Sequence, residues 1–235
     1  GVKPPGVYHG VDTDAFWPAS GLRPIVLKGR GAIHRLESKR DCKRFLGLDP
    51  QRIQILRTDR HMPRKNYASL FRALAPVLAR HPNVDFAYHC RTIDQGGDLD
   101  DERSKYGPLA KRMTATGFHD VHGGAPRELL NILYNAADIY VSCSAEGFGL
   151  TIAEAMACGL PVVGMDYSAV SEVIGDTGLL VKPVAVTDNT YSHFWATVNE
   201  PLFTEAVGKL VMSAGMRRDL GAKATERVRA MFRWD

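Results

Sequence analysis

Hydrophobic positions recur along the chain with two periods. "RIQILRTD", "VDFAYHC", "DIYVSC", "PVVGMD" and "GLLVKP" are short apolar runs of strand length, the fifth being the last strand expected. Between them, apolar residues return every three or four positions. Leu70, Phe71, Leu74, Val77 and Leu78 form one buried face behind Asn66, a residue suited to cap a helix, and Leu129, Leu130 and Leu133 do the same behind a proline placed where a helix tolerates it. Further helices are predicted over about Arg35 to Leu46, up to about Met113, over "LTIAEAMACG" with Gly159 as its stop, from Pro201 to about Ser213, and from Met216 to about Phe232. "DQGGDLDDE" reads as a polar loop, and a short strand is expected near Phe118 to Val121. Residues 1–24, rich in Gly and Pro, read as a lead-in or interdomain segment, and residues 25–235 as the folded domain. Strands separated by helices predict an α/β fold with a parallel sheet covered on both faces, whose ligands sit beyond the carboxyl ends of the strands.

At 235 residues and 45% hydrophobic composition, the chain can bury a substantial core. No apolar run reaches the ~18 residues of a membrane span, and nothing near Gly1 resembles a signal peptide. Cys42, Cys90, Cys143 and Cys158 lack CxxC spacing and are expected to be buried thiols in a reducing, cytoplasmic compartment. A start at Gly rather than Met suggests a piece of something longer. The net charge of +4 is unevenly spread: thirteen Lys and Arg lie between Arg23 and Lys65 against Glu37, Asp41, Asp49 and Asp59. Such a block suits nucleic acid, an anionic membrane, a phosphate ligand or a solvated helix face.

The chemistry concentrates in "SAEGFGLTIAEAMACGLPVV". Here a strand-to-helix loop falls at the ligand edge of the sheet, and its glycines allow close backbone approach. Free N–H groups at Gly149, Leu150 and Thr151, with the positive end of the helix dipole, suit a phosphate or pyrophosphate. Glu146 and Glu154 lie eight residues apart, about 12 Å if helical, too far to share a proton or a metal. They suit hydroxyls at the two ends of one elongated molecule such as a nucleotide sugar. On the same edge, Arg60 with Lys65 five residues later can neutralise a pyrophosphate.

"EGFGLTIAE" resembles the E-x7-E signature of family 4 retaining glycosyltransferases, "RHMPRKN" resembles their R-x4-K donor-phosphate loop, and "HGVDTDAFWP" their entry into the carboxyl-terminal domain. The likeness covers nearly the whole chain. It implies the Rossmann-like, donor-binding carboxyl-terminal half of a GT-B enzyme. It implies Glu146 at the donor-sugar hydroxyls and Glu154 at the ribose. Gly147, Phe148 and Gly149 would offer amides to the sugar, and Leu150 and Thr151 to the phosphate. Arg60 and Lys65 would stabilise the departing diphosphate without a metal or other cofactor, with retention of configuration. The base is expected near "DVHGG", where His122 itself reads as a solvent-facing loop histidine.

The resemblance also marks absences: the amino-terminal acceptor-binding domain precedes such a segment, and a final crossover helix follows it. The expected partner is a nucleoside diphosphate sugar, the acceptor is open, and the isolated half is expected to bind donor with little or no transfer. Peripheral membrane association is left open by the resemblance, since in related enzymes it often depends on the other half. Thr58–Asp59 stands where the family usually has Gly. The competing readings are a non-catalytic nucleotide-sugar sensor or scaffold of the same fold and a nucleic-acid-binding domain, which lacks the aromatic interleaving. A dinucleotide oxidoreductase is disfavoured because "GRGAIH" lacks the third glycine and a convincing preceding strand. His119 and His122 lack the further ligands a metal site requires.

Overall fold

The computed structural model describes residues 9–29, 32–116, 125–188 and 194–234. In chain order they form β1 (Ile25–Gly29), β2 (Ala32–Leu36), α1 (Lys39–Phe45), β3 (Ile53–Thr58), α2 (Tyr67–Arg80), β4 (Val84–His89), β5 (Ile93–Asp94), β6 (Gly97–Asp98), α3 (Leu99–Ser104) and β7 (Met113–Ala115). There follow α4 (Arg127–Ala136), β8 (Ile139–Ser142), α5 (Leu150–Ala157), β9 (Val162–Met165), α6 (Ala169–Ile174), β10 (Leu179–Val181), β11 (Ala185–Asp188), β12 (Phe194–Thr197), α7 (Glu200–Met212) and α8 (Ala214–Met231). Six strands build one parallel sheet in the order β10-β9-β8-β3-β4-β7.

Alternation along each strand divides the sheet between two cores. Ile55, Phe86, Tyr88, Ile139, Val141 and Val163 face α2 and α7, while Leu56, Ala87, Tyr140 and Val162 face α4, α5, α6 and α8. Both faces are buried, which is why the strands read as continuous apolar runs. The five apolar residues predicted for α2 are all buried. Asn66 stands at its amino-terminal boundary, yet its side chain makes no capping bond; it adopts φ 53° and donates from Nδ2 to Cys143 O at 2.9 Å.

Several expectations need correction. The basic helix expected from Arg35 starts at Lys39, because Ser38 caps it and Arg35 belongs to β2. "GRGAIH" does follow a strand, β1, but the pair is an antiparallel ribbon rather than a strand–turn–helix unit. The expected loop over residues 94–102 holds the β5–β6 hairpin and the start of α3, capped by Asp98. Helix α6 was not foreseen, and β10 is not the last strand, since β11 and β12 pair beyond it. The strand expected near Phe118 and the loop with His119 and His122 lie outside the described residues.

The described part of residues 1–24 is packed rather than loose. Val11 and Phe16 are buried in the α5–α8 core, Val11 N donates to Phe232 O at 2.6 Å, and Trp234 N donates to Val11 O at 3.2 Å. All four cysteines are buried and unpaired. No helix among the described residues is long and apolar enough to cross a membrane.

Candidate functional site

Strand order reverses between β3 and β8: the chain runs from β3 out to β4 and β7, then returns to β8 on the other side and continues to β9 and β10. The loops leaving these two neighbours diverge above and below the sheet and leave a crevice at their carboxyl ends. Both sequence motifs sit there, residues 59–66 after β3 and residues 143–149 after β8.

A ladder of alternating charges joins the two loops. Arg57, fully buried in β3, donates from Nη2 to Asp59 Oδ2 at 2.9 Å and to Ser144 Oγ at 3.1 Å. Lys65 Nζ donates to Asp59 Oδ1 at 2.6 Å and to Glu146 Oε1 at 2.5 Å, and Arg64 Nη1 donates to Glu146 Oε2 at 3.3 Å. Burial acts to raise the Glu146 carboxyl, but Lys65, Ser144 and Arg57 outweigh it and hold the group below its ordinary range. Three cations and two carboxylates leave this ladder one positive charge in surplus.

Beside it lies a cleft of about 550 Å³ whose walls include Thr58, Asp59, Arg60, Asp94, Tyr134, Thr151 and Glu154. Glu154 accepts from the Tyr134 hydroxyl at 2.7 Å, and Tyr134 in turn bonds Thr58 Oγ1 at 2.8 Å. Burial pushes Glu154 up to about 7, against the opposing pull of that hydroxyl. Helix α5 begins at Gly149, whose φ of +98° is open to glycine and strained for other residues. Its first turn reaches solvent and cleft, with Leu150 47% exposed and Thr151 in the cleft wall.

The structure brings Arg60, Thr151 and Glu154 onto one cleft and ties Lys65 to Glu146 at its side. Gly147 is exposed, Gly149 is buried, and Phe148 packs between the rings of His9 and Phe232 at 5.7 and 5.5 Å. Arg60 does not join the ladder: it pairs with Asp94 at 2.9 Å. Sequence reasoning missed Arg57, Asp59, Arg64, Ser144, Tyr134 and Asp94. A cation inside the apolar run "RIQILRTD" and the Thr58–Asp59 departure were the available signals for the first two. Among the described residues no cluster of three or more His, Cys, Asp or Glu could hold a metal ion.

Comparisons with known proteins agree with this architecture. The chain is 46% identical over 98 residues to the O-antigen chain mannosyltransferase B of Escherichia coli, covering 41% of the chain and 26% of the relative. It is 32% identical over 177 residues to a phosphatidyl-myo-inositol mannosyltransferase of Mycobacterium tuberculosis, covering 74% and 38%. The chain thus spans less than half the length of these curated relatives. Among solved structures it superposes on the carboxyl-terminal domain of LpcC, a glycosyl transferase group 1 family protein from Francisella tularensis, with TM-score 0.71 and 21% identity, covering 96% of this chain and all of that one. It also superposes on HepE of Anabaena in complex with UDP and glucose, with TM-score 0.71 and 18% identity, covering 97% and 52%. These likenesses identify the fold as that of GT-B carboxyl-terminal domains. The model of the glycosyl transferases group 1 matches residues 52–191, more than half of the chain, and the chain belongs to that family.

Proposed function

We propose that residues 25–235 form the donor-binding part of a glycosyltransferase that moves a hexose from a nucleoside diphosphate sugar to an acceptor hydroxyl. The observation that carries this reading is the cleft at the β3/β8 switch point, where the start of α5, Arg60 and Glu154 share one wall beside the Lys65–Glu146 pair. In this reading the diphosphate lies against the Leu150 and Thr151 amides, with Arg60 and Lys65 as its cations. Glu154 takes the ribose, and Glu146, with the backbone of Gly147, Phe148 and Gly149, takes the hexose.

Transfer breaks the bond from the anomeric carbon to the diphosphate and joins that carbon to the acceptor oxygen on the same face, so configuration is retained. The acceptor proton leaves with the diphosphate. Negative charge grows on the leaving group, and preorganised cations and amides stabilise it as it forms. Side chains rather than a metal ion supply this compensation, so EDTA is expected to leave donor affinity unchanged. The acceptor is held by a part of the parent protein outside this chain, and the chain alone is expected to bind donor with little transfer.

Calorimetric titration with UDP-, GDP- and ADP-sugars, on the wild type and on Glu154→Ala, tests the reading. One base class should give measurable heat that Glu154→Ala weakens by about tenfold, the loss of one hydrogen bond to a hydroxyl. Undetectable heat with every sugar nucleotide overturns it.

A further inference from the structure

The hairpin β5–β6 has no place in the reading above, yet it is fastened to the loop that carries Arg60. His61, 4% exposed, accepts Gly96 N at its backbone oxygen at 3.2 Å, and its ring Nδ1 lies 3.2 Å from Thr92 O. The ring lies close against Gly96: a Cβ there would lie 2.3 Å from the imidazole. The hairpin therefore cannot slide toward or away from the Arg60 loop without moving a buried histidine.

This clamp places Asp94 on one edge of the Arg60 guanidinium. Nε donates to Oδ2 at 2.9 Å and Nη2 to Oδ1 at 3.3 Å, while Oδ1 is itself fixed by Gln95 N at 2.8 Å. Among the described residues two of the five N–H groups of this arginine are used, and those of Nη1 with one of Nη2 remain on the outer edge. Arg60 is 60% exposed and would otherwise sample many rotamers, so fixing it costs side-chain entropy. Arg60, Asp94 and Thr151 of the α5 start line the same cleft.

We propose that Asp94, held in place by the His61–Gly96 clamp, is a positioning residue that orients Arg60 so that its free edge meets the diphosphate of the donor. This rests on the donor-binding reading above. Asp94 touches no substrate in this role; it lowers the ordering cost of the residue that does. Its carboxyl, drawn down to about 2 by the Arg60 hydrogen bonds, stays ionised at any pH at which the protein would be assayed. A carboxylate in the cleft also repels an anion, so the orienting effect has to exceed that repulsion, which gives the experiment its sign.

The test is a double-mutant cycle read by calorimetry with UDP, GDP and ADP, using whichever the wild type binds. Arg60→Ala is expected to weaken binding by about tenfold, the loss of a charge-assisted hydrogen bond. Asp94→Ala is expected to weaken it by about three- to tenfold, and the double variant should be no weaker than Arg60→Ala, because Asp94 acts only through that side chain. A merely structural role would weaken binding in the Arg60→Ala background as well. Gly96→Ala supplies the second variant: it keeps every charge, displaces the clamp, and should reproduce the Asp94→Ala loss. Tighter binding by Asp94→Ala, additive effects, or an unchanged Gly96→Ala overturns the proposal while leaving donor binding standing. Absence of binding by the wild type overturns both.

Discussion

Lys65 shows how far this site depends on charge pairing. Its side chain is 7% exposed and sits between Asp59 and Glu146 at 2.6 and 2.5 Å. Removing the ammonium leaves two carboxylates facing each other in a partly dry place, a situation that costs about 3–5 kcal/mol. Lys65→Met is therefore expected to lower the melting temperature by on the order of 10 °C. Adding Glu146→Gln should recover part of that loss, and thermal melts of the two variants check it. Glu154 offers a pH-dependent counterpart. Its carboxyl stands at about 7 in the folded chain against an ordinary 4.5. Below 4.5 it is neutral in both states. Between 4.5 and 7 the unfolded chain ionises first, so stability falls over that window by ~3 kcal/mol. Glu154→Gln escapes this loss, and its stability relative to wild type should rise from pH 4.5 to pH 7 and level off above, measured by urea melts at a series of pH values. Arg57 and Lys43 show what became of the basic block: Lys43 Nζ holds Asp138 at 2.6 Å, Arg57 holds Asp59, and Arg52 pairs with Asp85. Many of these cations hold the fold together rather than forming a free basic face.

At the scale of elements, two helical glycines predict opposite outcomes for one substitution. Gly208 lies inside α7 with open space where a Cβ would go, so Gly208→Ala should stabilise by ~0.5–1 kcal/mol through helix propensity. Gly221 lies in α8, and its Cβ would come within 2.2 Å of Gly159 O, where α8 crosses the end of α5. Gly221→Ala should destabilise by ~1–3 kcal/mol, because backbone rather than a flexible side chain stands in the way. Circular-dichroism melts separate the two. The elements visible in the sequence were those with a period or a stop signal to read: α2, α4, α7 and α8 by their length, α5 by the Gly159 that ends it, and the strands buried on both faces. The ribbons β1–β2, β5–β6 and β11–β12 were missed because a two-stranded ribbon has little stability alone and forms where a core accepts it. For β1–β2 that core is Ile25 and Leu36 against Ile132 and Ala136 of α4. The short helix α6 has six residues, too few for a periodicity to show.

Across the whole molecule, the entering segment and the last turn close on one another. Val11 bridges to Arg233, and Phe16 is buried against the edge of the Tyr134 ring, 5.8 Å between centroids. Phe16→Ala should cost ~3–5 kcal/mol and, through Tyr134, disturb the hydrogen bond to Glu154. A melt together with donor titration measures both. Chain order alone determined much about this protein: a parallel α/β sheet, two motif loops on its ligand edge, and carboxylates and cations with the right local spacing. Those properties follow from periodicity and from residues within one helical turn or one loop, which neighbours in sequence carry with them. Which charge meets which was decided only by tertiary structure. Arg60 and Lys65, five positions apart, part company because Asp94 arrives on the β5–β6 hairpin and Glu146 on the loop after β8, and an ion pair forms wherever folding brings opposite charges within a few ångströms.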